Sequence, residues 1–217
     1  MKEYHKIDGL WSRDAETKKL LPGVFRNPAV SYLQCADWRF TEKVDGTNIR
    51  VIWDGHKVAF YGRTDNANIP TPLLRKLEEL FGGEVNEQIF EEHFGEKQVV
   101  LYGEGYGAKL QKGGGLYRKD SGFILFDVEI NGKMLEYDAL DGVAQYFGIP
   151  VVPTVLIGTI YSGIGYVKSR PRSVISEEPK EMEGVVGKPM VDLMDASGKR
   201  IVVKIKVRDF EEMERYD

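Results

Sequence analysis

Apolar and polar positions alternate along most of the chain, the period of half-buried strands, and longer helical faces are few. Residues 38–53 read as a strand, a turn holding Asp45-Gly46, and a second strand; Lys57 to Tyr61 follow the Asp54-Gly55 turn as a hairpin partner. The best helical stretch is 71–94, with Pro72 near its start and Leu73, Leu74, Leu77, Leu80 and Phe81 at 3–4 spacing. Gly82-Gly83 predicts a split into two helices. Residues 98–102 and 122–130 are apolar enough for buried strands, and Asn131-Gly132 marks a turn after the second. Residues 138–147 predict a short helix capped by Asp138 and stopped by Gly148. Further strands are expected over 151–160 and 201–207, with a helix or ordered surface loop over 162–180. Strands with long mixed connections predict an α+β fold with antiparallel sheets. The 217 residues suit a single domain, 1–217, in which 1–40 carry no motif and have no assigned role.

Composition narrows the setting. With 42% hydrophobic and 29% charged residues the chain is ordinary for a globular protein, and no apolar run is long enough for a membrane span. The N-terminus lacks the apolar core of a signal peptide, and Cys35 alone can make neither an internal disulfide nor a cysteine metal site. A cytoplasmic protein with no membrane partner is the expectation. The net charge of −4 argues against bulk electrostatic binding of nucleic acid, so any such contact requires a local basic patch.

Several segments could carry chemistry, each with a plainer reading beside it. In Glu42-Lys43-Val44-Asp45-Gly46-Thr47-Asn48, a lysine beside a tight turn could aim an amine at a phosphate; by itself the pair Asp45-Gly46 is more simply a hairpin turn. In Tyr102-Gly103-Glu104-Gly105-Tyr106-Gly107, Glu104 could accept ribose hydroxyls while glycines admit a ligand, or the segment is a solvated glycine-rich loop. Alternation puts Phe123, Leu125 and Asp127 on one strand face. Phe123 could stack on a purine, although a core role is the simpler reading. Glu183 and Lys188 flank a short apolar strand. Lys204 and Lys206, at i and i+2, share a strand face, which suits water or an anion better than burial.

The order of these segments is specific. KVDGTN, YGRT (Tyr61 to Thr64), YGEGYG, FILFDV, EGVVGKP and VVKIKV resemble motifs I, Ia, III, IIIa, IV and V of the covalent nucleotidyltransferases, over about 42–207. Asn48, where DNA ligases and capping enzymes usually have arginine, is similar to the RNA ligase 2 family. The resemblance implies a ligase-type adenylyltransferase domain, α+β, with antiparallel sheets around a nucleotide cleft. It implies ATP as cofactor, AMP joined covalently to Lys43 as nucleophile, and Mg2+ or Mn2+ at Glu183. Glu42 would lie near the adenine, Asn48 and Arg63 near phosphates or the RNA end, Glu104 on the ribose and Phe123 on the base. Lys188, Lys204 and Lys206 would bind phosphate.

The reaction implied joins an RNA 3′-hydroxyl to a 5′-phosphate, on RNA ends or a nicked RNA duplex, through lysyl-AMP and RNA-adenylate. Alternatives are a DNA or mixed-strand ligase, a capping guanylyltransferase, or a noncatalytic nucleotide or RNA-end sensor. The sequence ends at Asp217, shortly after the last motif, so no OB or helical RNA-binding module of the kind larger ligases carry is expected. A protein partner supplying that module is therefore an expectation. Basic residues that could compensate are Lys109, Lys112, Arg118, Lys119, Lys168, Arg170 and Arg172.

Overall fold

The computed structural model describes residues 3–215. In chain order the elements are β1 (Asp8–Gly9), β2 (Trp11–Arg13), β3 (Leu20–Phe25), α1 (Ala29–Leu33), β4 (Trp38–Glu42), β5 (Thr47–Trp53) and β6 (Val58–Tyr61). Next come α2 (Thr71–Phe81), α3 (Glu84–Phe94), β7 (Val99–Gly107), β8 (Ser121–Ile130), β9 (Lys133–Met134) and α4 (Leu140–Phe147). The chain closes with β10 (Thr154–Gly158), α5 (Ile160–Lys168), β11 (Gly184–Pro189), β12 (Val203–Lys206) and α6 (Val207–Glu214). This is the expected mixture of helices and mainly antiparallel sheets. None of the described helices is long and apolar enough to cross a membrane.

The elements gather into two compact units. The first holds 45–152 with residues 3–4 and 176–178; the second holds 5–44, 153–175 and 179–215.

The first unit is an antiparallel sheet, β6-β5-β7-β8-β9. One sheet face packs on α2, α3 and α4. Ile49 and Val51 from β5 meet Leu73, Leu77 and Phe81, all buried, from α2. The i, i+4, i+8 spacing makes that stripe, and each such side chain contributes about 1.5–3 kcal/mol on burial. The helix ends where expected: the Gly82 N–H returns to Glu78 O, and Gly83, at φ +80°, opens α3. Asp138 does not cap the next helix; it lies in a short 3-10 turn, Tyr137–Ala139, and α4 starts after Ala139 without a side-chain cap.

The second unit is a five-stranded sheet, β1-β12-β11-β4-β10, parallel only at β1/β12, with the small ribbon β2-β3 beside it. Trp38, Phe40, Val185 and Ile205 pack one face against Ile160 and Val167 of α5. Residues left without a role by the sequence build much of this unit. Leu10 N donates to Lys204 O at 3.1 Å, and the Trp11 ring meets Phe210 edge-on at 5.4 Å.

Several boundaries differ from expectation, β7 among them, which runs on to Gly107 through the glycine-rich segment. The segment 151–160 is strand only over β10, because Thr159 caps α5 by accepting from Ser162 N. Likewise β12 stops at Lys206 and Val207 begins α6. The Asp45-Gly46 turn is not a hairpin: β4 pairs with β10 and β11, whereas β5 pairs with β6 and β7.

Candidate active site

In the second unit, β4 and β11 pair with Glu42 opposite Val185, and the Lys43 N–H donates to Gly184 O at 2.9 Å. This brings together the residues just beyond two strand ends. Lys43 Nζ donates to Glu183 Oε2 at 2.6 Å. Glu183 is fixed from its other side, where Val207 N donates to its carbonyl at 3.0 Å.

Strand register sorts the remaining residues by face, since directly opposed residues share a side. Lys206 opposes Gly184, Lys204 opposes Val186, Thr41 opposes Val186, and Arg39 opposes Lys188. One face therefore carries Arg39, Thr41, Lys188, Lys204 and Lys206. The other carries Trp38, Phe40, Val185 and Ile205. Burial lowers the Lys204 pKa, and the positive charges of Lys206 and Lys43 lower it further. Burial also lowers that of Lys206, against an opposing pull from Asp209. Asp209 accepts from the Lys206 backbone N–H at 3.2 Å, anchoring the strand-to-helix junction. Three amines and one carboxylate thus share one field, an arrangement suited to an anionic ligand.

Glu42 falls on the core face, 1% exposed, opposite Val185. Its oxygens accept from Ser173 Oγ at 2.5 Å and Val174 N at 2.9 Å, and burial raises its pKa. This carboxylate anchors the loop after α5.

In the first unit, Asn48, Glu104 and Ile124 form a row across β5, β7 and β8. Asn48 Oδ1 is buried with no hydrogen-bond partner among the described residues, a polar atom open to a ligand or water. Gly46 lets the preceding turn lie against this row, because a Cβ there would come within 2.2 Å of Gly105 O. Gly103 and Gly105 face the other way, where a Cβ would strike the Phe123 ring and the Leu73 side chain. These two glycines serve packing, not approach by a ligand.

Phe123 lies on that same core face, 1% exposed and edge-on to Phe81 at 5.3 Å. Its ring takes the core position that is the simpler of the two expectations. The face expected to hold Phe123, Leu125 and Asp127 together is corrected. A register shift pairs Tyr102 with Asp127 but Gly103 with Leu125, so Phe126 is an extra residue and Asp127 turns to the opposite face. There it accepts from Tyr4 Oη.

Arg63 is exposed in the turn after β6. Sequence reasoning missed the residue that shapes this turn. Arg50, fully buried, donates from Nε to Gly62 O at 3.0 Å and from Nη2 to Asp65 Oδ1 at 2.8 Å. Arg39 was missed too, although polar alternation along β4 marks it.

The sequence profile described as RNA ligase matches residues 36–206. A search of curated proteins finds no match. Among solved structures the chain is similar to a Naegleria gruberi RNA ligase variant with AMP and manganese, at TM-score 0.63 and 16% identity, covering 88% of this chain and 55% of that one. A second variant, with ATP and manganese, gives 0.62 and 17%, covering 88% and 54%. The same ligase with pyrophosphate gives 0.62 and 18%, covering 88% and 55%. The chain spans about half the length of these structures, and at such identity the likeness establishes the fold.

Proposed function

Since the chain belongs to the RNA ligase family, we propose that it joins RNA ends by ATP-dependent nucleotidyl transfer, with AMP carried on Lys43. The observation that carries this reading is the Lys43–Glu183 pair at 2.6 Å, in one field with Lys204 and Lys206.

In the first step Lys43 Nζ, having lost its proton, attacks the α-phosphorus of ATP. The N–P bond forms as the bond to the bridging oxygen breaks, and pyrophosphate leaves with the electron pair. AMP then passes to a 5′-phosphate of RNA. A 3′-hydroxyl attacks that activated phosphate, forming the phosphodiester and releasing AMP. Lys188, Lys204 and Lys206 are assigned to phosphate oxygens, where fixed positive charge stabilises the charge that develops.

Among the described residues no three His, Cys, Asp or Glu side chains gather to hold a metal. Glu183 is a single carboxylate beside Lys43, and it would hold Mg2+ or Mn2+ together with water and phosphate oxygens. Such an ion, when bound, supplies neutralisation of phosphate charge. Glu104 is assigned to ribose hydroxyls, Asn48 and Arg63 to phosphate or the RNA end. Glu42 is assigned near the adenine and Phe123 to the face of the base, as the family resemblance implies, and both side chains also have protein partners.

The test is intact mass before and after incubation with ATP and either metal. A gain of one AMP, reversed by pyrophosphate and absent in Lys43→Ala, is expected. No adduct with either ion overturns the reading.

A further inference from the structure

The first unit contains a run with no acidic residue from Gly105 to Lys119 and four cations, Lys109, Lys112, Arg118 and Lys119, in a chain whose net charge is −4. The structure divides these cations by what they already bind. Arg118 is held by Asp120 at 2.6 Å, and Lys119 pairs with Glu178 at 3.3 Å. Lys109 and Lys112 are exposed and have no ion-pair partner among the described residues. Elsewhere Arg170, another cation singled out in the sequence, is tied to Glu211 at 2.9 Å.

The loop bearing the two free lysines is built, not loose. Gln111 Nε2 donates to Gly46 O at 3.1 Å, and Tyr117 Oη accepts from Asp45 N at 3.3 Å. Ala108 N donates to Asp120 O at 3.0 Å, closing the loop at its base. Gly114 is buried so tightly that a Cβ would come within 2.0 Å of Gly107 O. Lys109 sits at φ +65°, a left-handed conformation that costs a non-glycine residue about 1–2 kcal/mol and persists only where its surroundings fix it. Three glycines, Gly113 to Gly115, follow Lys112 with no side chain to bar a strand. The loop is thus tethered to the turn that follows Lys43 in sequence, and it presents two unneutralised ammonium groups three residues apart.

We propose that the loop 108–119 is a contact surface for the sugar–phosphate backbone of an RNA strand, with Lys109 and Lys112 on its phosphates. This rests on the RNA-joining reading. Such contacts fix the strand without reading its bases, and they release counterions on binding.

The test measures binding of a short 5′-phosphorylated single-stranded RNA over a range of salt. Lys109→Gln/Lys112→Gln is expected to weaken binding and to reduce the slope of log K against log salt by about 1.4, roughly 0.7 for each lost phosphate contact. Its melting temperature and its rate of AMP attachment should match wild type. Lys57→Gln, which removes an exposed lysine on the β5–β6 turn, should leave the slope unchanged. An unchanged slope in the double variant, or an equal loss in Lys57→Gln, overturns the proposal. A chain that shows the expected slopes yet takes no AMP sinks the end-joining reading and not this one.

Discussion

Lys43 and Glu183 form a 2.6 Å ion pair although 140 residues separate them in sequence. The pair exists because β4 and β11 lie side by side, with Lys43 just after the end of β4 and Glu183 just before the start of β11. Their side chains are 24% and 21% exposed. An ion pair so open to water typically contributes about 0–1 kcal/mol. Stability is a poor reason to place an amine there, whereas chemistry on an anionic ligand is a sufficient one.

Glu183→Gln keeps an oxygen near Lys43 and removes the negative charge. The melting temperature should barely change, because the pair is worth about 1 kcal/mol at most. Adenylylation should slow by about a hundredfold or more, the usual cost of deleting one preorganised electrostatic group. Single-turnover mass measurements check this, and a rate within a few-fold of wild type would remove Glu183 from the mechanism.

Gly184, next to Glu183, is the first residue of β11. A Cβ at this residue would come within 2.1 Å of Ile205 O and 2.7 Å of Lys206 Cα, both backbone atoms. Neither can yield without parting β11 from β12. Gly184→Ala should therefore cost about 1–3 kcal/mol, as overpacking does, and should impair AMP attachment by displacing Glu183 and Lys206 together. Urea unfolding measures the first effect. A variant as stable as wild type would contradict the close approach of these strands.

Lys204 is expected to trade stability for function. Burial and two neighbouring cations hold its pKa below the ordinary lysine value of 10.5. Below the folded-state pKa both folded and unfolded chains carry the proton, and the penalty on the fold is fully present. As pH rises past that value the folded chain releases the proton while the unfolded chain keeps it up to about 10.5, so stability increases with pH. Lys204→Met should thus melt higher than wild type at neutral pH, by about 2–4 °C for each kcal/mol relieved in a chain of this size. That gain should shrink as pH approaches 10.5, and the variant should attach AMP poorly. Thermal melts across pH decide the matter; a lower melting temperature at neutral pH would refute the assignment of a buried penalty to Lys204.

What the sequence reveals, and what it hides, follows from which interactions are local. The stripe Leu73, Leu77 and Phe81 and the break at Gly82-Gly83 depend on neighbours within two turns, so α2 and α3 are readable directly. The i, i+2 spacing of Lys204 and Lys206 fixes a shared face for the same reason. Local pattern cannot tell that β4 and β5 enter different sheets, since an Asp-Gly pair serves a hairpin and a crossing turn alike. The extra residue in β8 is equally silent, because only pairing with β7 makes Phe126 surplus and turns Asp127 over. For Glu42, strict alternation with Trp38 and Phe40 already places the side chain on the core face.

Phe123 offers the sharpest contest between motif and packing. On the core face, its ring is edge-on to Phe81 and pressed against Gly103. Phe123→Ala should cost about 3–5 kcal/mol of stability through the cavity it leaves. Because so large a loss would obscure any effect on ATP, the deciding variant is Phe123→Leu, which keeps much of the volume and should cost about 1.5 kcal/mol or less. A core residue predicts that this variant attaches AMP with an unchanged dependence on ATP concentration. A stacking residue predicts the reverse, because leucine lacks the aromatic face: the ATP requirement should rise several-fold while the melting temperature stays near wild type. Measuring both quantities on the same preparation separates the two roles, and the second outcome would place Phe123 on the nucleotide.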